Sequence, residues 1–138
     1  MSEHLPGDDA LGRHDAVALA ELVRSGGASP VELVEAAIAR IEALDPQVSA
    51  VIHRRFERAL DEAASPELPD GPFRGVPFLL KDLWAPYTGQ ALTNGNVALR
   101  DAMPISKRDS TIVSRPRAWV AIAVRNPASP PPMTSESV

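Results

Sequence analysis

Lysine is scarce in this 138-residue chain. It occurs only at Lys81 and Lys107, against twelve arginines. Lys81 closes the apolar run Gly75-Val76-Pro77-Phe78-Leu79-Leu80 and is followed by Asp82, Leu83 and Trp84. A lysine at a strand end ordinarily projects into water. Drawn into apolar surroundings, its charged form loses hydration, its pKa falls, and it can act as a base near neutrality. Ligands of α/β sheets also gather at the C-terminal ends of strands. Type and spacing alone leave both roles open for Lys81.

Other residues offer less. His4, His14 and His53 are scattered, with no acidic or histidine partner at ligand spacing, so no metal site is expected. The pairs Asp8-Asp9 and Asp61-Glu62 lie in polar stretches, which do not raise a carboxyl group toward acid catalysis. There is no cysteine, which removes thiolate nucleophiles, cysteine-based zinc sites and disulfides, and fits a reducing compartment. Gly71 and Gly75 lack the spacing and the following helix of a phosphate cradle. No cofactor is implied.

Charge and hydropathy exclude further classes. The net charge is −4, with no basic patch for nucleic acid or an anionic membrane. Arg54, Arg55 and Arg58 alternate with Glu57, Asp61 and Glu62 and read as a solvated helix face, with Arg58 and Glu62 spaced to pair. The longest apolar run is about seven residues, far below the ~20 that span a bilayer. The polar Met1–Asp9 stretch does not resemble a signal peptide, so a cytoplasmic location is expected. Apolar residues at 44% and charged residues at 23% are ordinary globular usage, and the length suits one domain.

The elements that must position Lys81 are marked by caps and periodicity. Asp15 precedes apolar residues at helical spacing, and Gly26-Gly27 ends them. Ser29, Pro30 and Glu32 form a capping box with proline at the first helical position. Val31, Val34, Ile38 and Ile41 then recur on one face, and the helix should end by Leu44, because Asp45 precedes Pro46. Val48–Ile52 is a short strand or irregular chain, and Phe56–Ala64 a further helix. Ser65–Pro72 is a proline-rich loop. Gly75–Leu80 is consistent with a strand covered on both faces, and Pro77 argues either against a fully paired central position or for placement at the strand's start. Beyond Leu83 the chain loosens to an Asn94-Gly95 turn. Asp109 caps a helix through Ser114, and Val120–Val124 is a second strand-like run. From Asn126 the composition collapses to Pro, Ser, Thr and Ala, as in a disordered tail.

The segment Pro72-Phe-Arg-Gly-Val-Pro-Phe-Leu-Leu-Lys-Asp-Leu83 resembles the lysine-bearing strand of the amidase signature family. Ser29–Pro46 is similar to that family's N-terminal helix and its exit, and Asp109–Val113 to a helix start that follows the lysine strand. The resemblance implies an α/β fold, the N-terminal fragment of a mixed sheet flanked by helices. It also implies hydrolysis of carbon–nitrogen bonds in a small-molecule amide. Such enzymes combine a serine nucleophile, a second serine in a cis peptide and a lysine. The lysine, held neutral, takes a proton from the bridging serine, which activates the nucleophile, and a Gly/Ser-rich loop supplies the oxyanion hole. Only the lysine maps onto this sequence, at Lys81, as a catalytic residue. Asp82 belongs to the motif without an assigned role.

Both family serines sit in a Gly-Gly-Ser-Ser-Gly-Gly-type segment that has no counterpart here. No glycine follows Gly95, and Ser110, Ser114, Ser129, Ser135 and Ser137 have no glycine neighbours. Arg115–Ser129 departs from the family pattern, with Trp119–Val124 as a remnant of its second strand. The expected organisation is a flexible N-terminus over 1–14, an incomplete amidase-like portion over 15–114 and a divergent Pro-rich tail over 115–138. Without the nucleophile no acyl-enzyme can form, so the chain should be a truncated form, inactive alone, marginally stable and prone to aggregate. Homo-oligomerisation stays open. The alternative is a non-catalytic helical interaction module derived from an amidase, using the apolar Val31–Ile41 face.

Overall fold

The computed structural model describes residues 9–114 and 120–125. In chain order the elements are α1 (Ala10–Arg13), α2 (Ala16–Ser25), α3 (Pro30–Val48), β1 (Val51–Arg54), α4 (Phe56–Ala64), β2 (Pro77–Lys81), α5 (Val97–Ala102), α6 (Thr111–Ser114) and β3 (Val120–Arg125).

Side chains start the first helices as their types dictate. Asp15 accepts from the Ala18 N–H at 2.8 Å, and Gly26 ends α2 in the left-handed region at φ 76°. At α3 the capping box is complete: Glu32 N–H donates to Ser29 Oγ at 3.2 Å, and Ser29 N–H donates to Glu32 Oε2 at 2.7 Å. Residues 9–14, expected within a flexible N-terminus, carry the helical turn α1. Asp9 caps it through Gly12 N–H at 3.0 Å and binds Arg40 of α3 at 2.7 Å.

α3 passes its expected end at Leu44 and runs through Pro46 to Val48. A proline in the last turn removes one N–H from the ladder. Asp45 offsets that loss. Its buried carboxylate accepts from Ala50 N–H at 2.7 Å, Val51 N–H at 2.9 Å and Arg54 at 3.1 Å, binding the exit of the helix to β1. Ser49 then closes the helix at φ 46°. Burial opposes the charge on Asp45, but hydrogen bonds from Val51, Arg54 and Ala50 outweigh it and hold the carboxyl below its ordinary range.

The sheet has the order β1-β3-β2. β1 runs antiparallel to β3, with Arg54 opposite Ala123, and β2 runs parallel to it, with Pro77 opposite Val120 and Lys81 opposite Arg125. The segment 120–125, expected inside a divergent tail, is therefore the central strand. The expected disorder from Asn126 onward lies outside the described residues, as do residues 1–8. Both readings of Pro77 hold among the described residues: it opens β2, and β2 is not the central strand; but β2 is not covered on both faces, since Leu80 is buried while Leu79 remains 43% exposed.

Two apolar clusters hold these layers together. Val34, Ala59, Ala63, Leu68 and Val120 form one, between α3, α4 and β3; Leu19, Ala20, Leu33 and Val76 form the other. Val31, Ile38 and Ile41 pack against the first cluster, so the α3 face suggested for an interaction module is occupied by the protein's own core. Each Val or Ile fully buried there stabilises the fold by about 1.5–3 kcal/mol. Gly75 admits β2 to this arrangement. Its φ is +78°, and a Cβ there would lie 2.7 Å from Pro30 Cγ at the start of α3.

Arg55 departs from the solvated face assigned to it. It precedes α4 and its side chain is buried. It meets Glu62 through two bonds of 2.7 and 3.1 Å, donates to the Ala121 carbonyl, and reaches Tyr87 Oη at 3.2 Å. Glu62 is thus tied to Arg55 rather than engaged in the expected pair with Arg58. The guanidinium also stacks 4.8 Å from the Tyr87 ring centroid, so one side chain joins α4, β3 and the loop after β2.

Candidate functional site

Lys81 stands at the C-terminal end of β2, as its sequence position suggested, and its side chain faces solvent. Successive side chains of an extended chain point to opposite sides. Asp82, the next residue, is accordingly fully buried. One of its oxygens accepts from Thr93 N–H at 2.7 Å and the other from Thr93 Oγ1, itself a buried group. Two adjacent motif residues therefore have different environments. Lys81 is presented, and Asp82 anchors the segment that follows it.

That segment folds back on the strand end. Trp84 N–H donates to Asn94 Oδ1 at 3.1 Å, and both residues adopt left-handed backbone, at φ 57° and 49°. Gly89 N–H reaches Ser106 O and Ser106 N–H reaches Gln90 O, each at 2.9 Å. The intervening α5 was not anticipated; its signal was Asn96, which caps the helix by accepting from Ala98 N–H at 2.9 Å. Asp109 accepts from Thr88 N–H at 2.8 Å, and Ser110 N–H donates to Pro86 O at 2.8 Å. α6 starts one residue later than expected, with the Ser110 carbonyl receiving the N–H groups of Val113 and Ser114.

Four of the described serine hydroxyls have partners close in the chain. Ser25 bonds Leu22 O, Ser29 bonds Glu32, Ser65 accepts from Glu67 N–H, and Ser114 bonds Thr111 O. Ser110 Oγ is buried without a hydrogen-bond partner, at the start of α6. A cavity of about 330 Å³ opens on the side of β2 opposite Lys81, floored by Phe78 and Leu80 and walled by Leu68, Tyr87, Asp109 and Ile112. Burial pushes the Tyr87 hydroxyl above its ordinary pKa; Arg55 opposes that shift, and Glu62 and Asp109 reinforce it. Among the described residues, no three His, Asp or Glu side chains gather to hold a metal, and no helix is long and apolar enough to cross a membrane.

Comparison with known proteins places this geometry. The amidase family model matches residues 32–124, so the match continues over 115–124, where divergence was expected. The 6-aminohexanoate-cyclic-dimer hydrolase of Paenarthrobacter ureafaciens is 44% identical over 104 residues, covering 75% of this chain and 20% of that protein. The putative amidase AmiC of Mycobacterium tuberculosis is 48% identical over 75 residues, covering 54% of this chain and 16% of that protein. The solved structure of 6-aminohexanoate cyclic dimer hydrolase superposes with a TM-score of 0.74 at 41% identity, covering 82% of this chain and 23% of that one. The chain spans about a fifth of the length of the first of these curated relatives. The match to the family model, the relatives and the shared fold agree: this chain belongs to the amidase family.

Proposed function

We propose that this chain supplies the lysine-bearing portion of a hydrolase of carbon–nitrogen amide bonds, with Lys81 as its base, and that it does not turn over amides by itself. One observation carries the reading: Lys81 stands at the end of β2, in the motif that matches the family, with its side chain in solvent. A base needs a hydroxyl within hydrogen-bond reach. The serine hydroxyls whose partners are described bond to local backbone or to Glu32.

Small-molecule amides are the substrate class of this reading, supported by the cyclic dimer named for the Paenarthrobacter ureafaciens hydrolase. Bond cleavage would need a serine nucleophile brought to Lys81 on a covering polypeptide that excludes water. The interaction-module alternative loses ground, because the α3 face it would use is packed into the core.

The test is an amide-release assay on the purified chain, with and without an added polypeptide bearing the family's Gly/Ser-rich segment. The chain alone should match buffer. Activity that appears with the added polypeptide and disappears on Lys81→Ala supports the reading. Turnover by the chain alone, unaffected by Lys81→Ala, overturns it.

A further inference from the structure

Lys81 stands between two buried neighbours. Leu80 and Asp82 point to one side of the chain and are shielded from solvent, and Lys81 points to the other. Up to Lys81 the ladder to β3 fixes the backbone, with Leu80 opposite Val124 and Lys81 opposite Arg125. There the strand ends, and Asp82 takes over. Both of its oxygens are engaged by one residue, Thr93, through the backbone N–H at 2.7 Å and through Oγ1. Among the described residues no cationic side chain pairs with this carboxylate. A buried carboxylate without a counter-charge is costly, and an apolar pair of similar volume would fill the space without that cost. What the polar pair adds is direction. Two bonds to one residue orient the carboxylate, and with it the backbone that carries Lys81.

The segment that receives Asp82 is itself held. Leu92 N–H donates to Pro104 O at 3.3 Å, Asn96 N–H donates to Thr93 O at 2.8 Å, and Thr93 is buried. One residue further, Asn94 Oδ1 accepts from Trp84 N–H at 3.1 Å, so the two stretches are joined on both sides of Leu83. Trp84 and Asn94 meet there in left-handed backbone, an unfavourable conformation for a side chain as bulky as tryptophan. Such backbone persists where the surroundings over-determine it. The bonds of Asp82 and Asn94 supply that constraint, three residues or fewer from Lys81.

We propose that Asp82 and Thr93 are positioning residues for Lys81: their pairing fixes the exit of β2 and so aims the lysine stem at the serine it serves. The proposal rests on the reading of Lys81 as the base. A lysine side chain is flexible, so the direction of its Cα–Cβ bond is what the backbone can set. Misplacing a reacting group by about 1 Å can cost roughly a hundredfold in rate. The role is geometric. Asp82→Asn can still accept from Thr93 N–H and can donate to Thr93 Oγ1, so it should preserve the positioning without the charge.

The chain has only two lysines, so labelling lysine isotopically gives two backbone amide signals, and Lys81→Arg assigns them. The order parameter of the Lys81 amide should be about 0.85 in the native chain, in Asp82→Asn and in Thr93→Ser, which keep both contacts. It should fall below about 0.6 in Thr93→Val and Asp82→Ala while circular dichroism retains the helical signal. An unchanged order parameter in folded Thr93→Val overturns the proposal. So does Asp82→Asn that loosens Lys81 as much as Asp82→Ala, because charge would then be the cause. Thr93→Val that loses its helical signal as well overturns it in favour of a purely structural pair. In the assay with the added serine-bearing polypeptide, Thr93→Val should lower kcat by up to about a hundredfold with KM little changed, and Thr93→Ser should keep it. The base and its positioning fail separately there. Turnover that survives Lys81→Ala removes the base; turnover lost in Lys81→Ala but untouched by Thr93→Val removes the positioning pair.

Discussion

The helical layer over residues 16–64 and the segment from Leu79 onward handle apolar surface in opposite ways. In the first, Leu33 and Val34 of α3 are 1% and 0% exposed, and their neighbours on α2, α4 and β3 close over them. In the second, Leu79, Trp84, Ile105 and Ile112 are 43%, 81%, 55% and 58% exposed, although the backbone around them is well tied. The first region closes its core with Leu68, Val76 and Val120 contributed from outside it. The second holds its shape through polar anchors such as Asp82–Thr93 and Arg55–Tyr87, and leaves its apolar side chains for a surface that other polypeptide can cover. Lys81 lies in the second region, with its side chain in solvent.

The most direct way to break this contrast is to truncate one leucine in each region. Leu33→Ala should cost about 2–5 kcal/mol of unfolding free energy, and Leu79→Ala should stay within about 0.5 kcal/mol in monomeric chain. Urea denaturation of both variants measures this, and equal losses would erase the distinction. Arg55→Ala comes next. It leaves the Ala121 carbonyl and Tyr87 Oη without their donor and Glu62 without its partner, at about 2–4 kcal/mol. Glu62→Ala separates the ion pair from the rest, and should cost less because Glu62 is partly solvated.

The two adjacent motif residues sharpen the comparison further. Asp82→Ala should lose about 1–3 kcal/mol by stranding the buried Thr93 N–H, while Lys81→Ala should be close to neutral for stability. If Lys81→Ala destabilises as much as Asp82→Ala, Lys81 is a structural residue and its proposed role fails.

The smallest effect is acid sensitivity of the first region and of Asp9, which binds it through Arg40. The Asp9 carboxyl is lowered, as is that of Asp45: burial opposes ionisation at each, and hydrogen bonds with Arg40 and Gly12, or with Val51 and Arg54, outweigh it. A carboxyl lowered on folding contributes stability that is present above its unfolded value and lost as pH falls through its folded one. Stability should therefore be flat near neutrality and decline once pH drops below the ordinary value of 3.8. Asp45→Asn should flatten part of that decline in a series of urea midpoints against pH.

Local signals were read correctly where one short stretch of chain decides the outcome. Asp15, Ser29-Pro30-Glu32 and Gly26 set helix ends through bonds that span at most a few residues, and Pro77 marked the start of β2 for the same reason. The reading failed where the deciding partner was distant. Arg55 looked solvated because its charge pattern is that of a helix face, yet its partners include Tyr87 and Ala121, 32 and 66 residues away. Pro46 looked like a helix stop because what offsets its missing N–H is the Asp45 carboxylate binding Ala50, Val51 and Arg54 beyond the helix, which residue types alone do not reveal. Asp82 gave no local hint of Thr93.

The sequence by itself determined the helix caps, the lysine-bearing motif, its family and the position of Lys81 at a strand end. Those depend on side-chain type and on contacts between neighbours in the chain. Only the tertiary structure decided that 120–125 lies between β1 and β2, and that Asp82 is buried while Lys81 is not. Strand order and burial are set by contacts between segments far apart in sequence, and the same run of residues is consistent with more than one such arrangement until the chain folds.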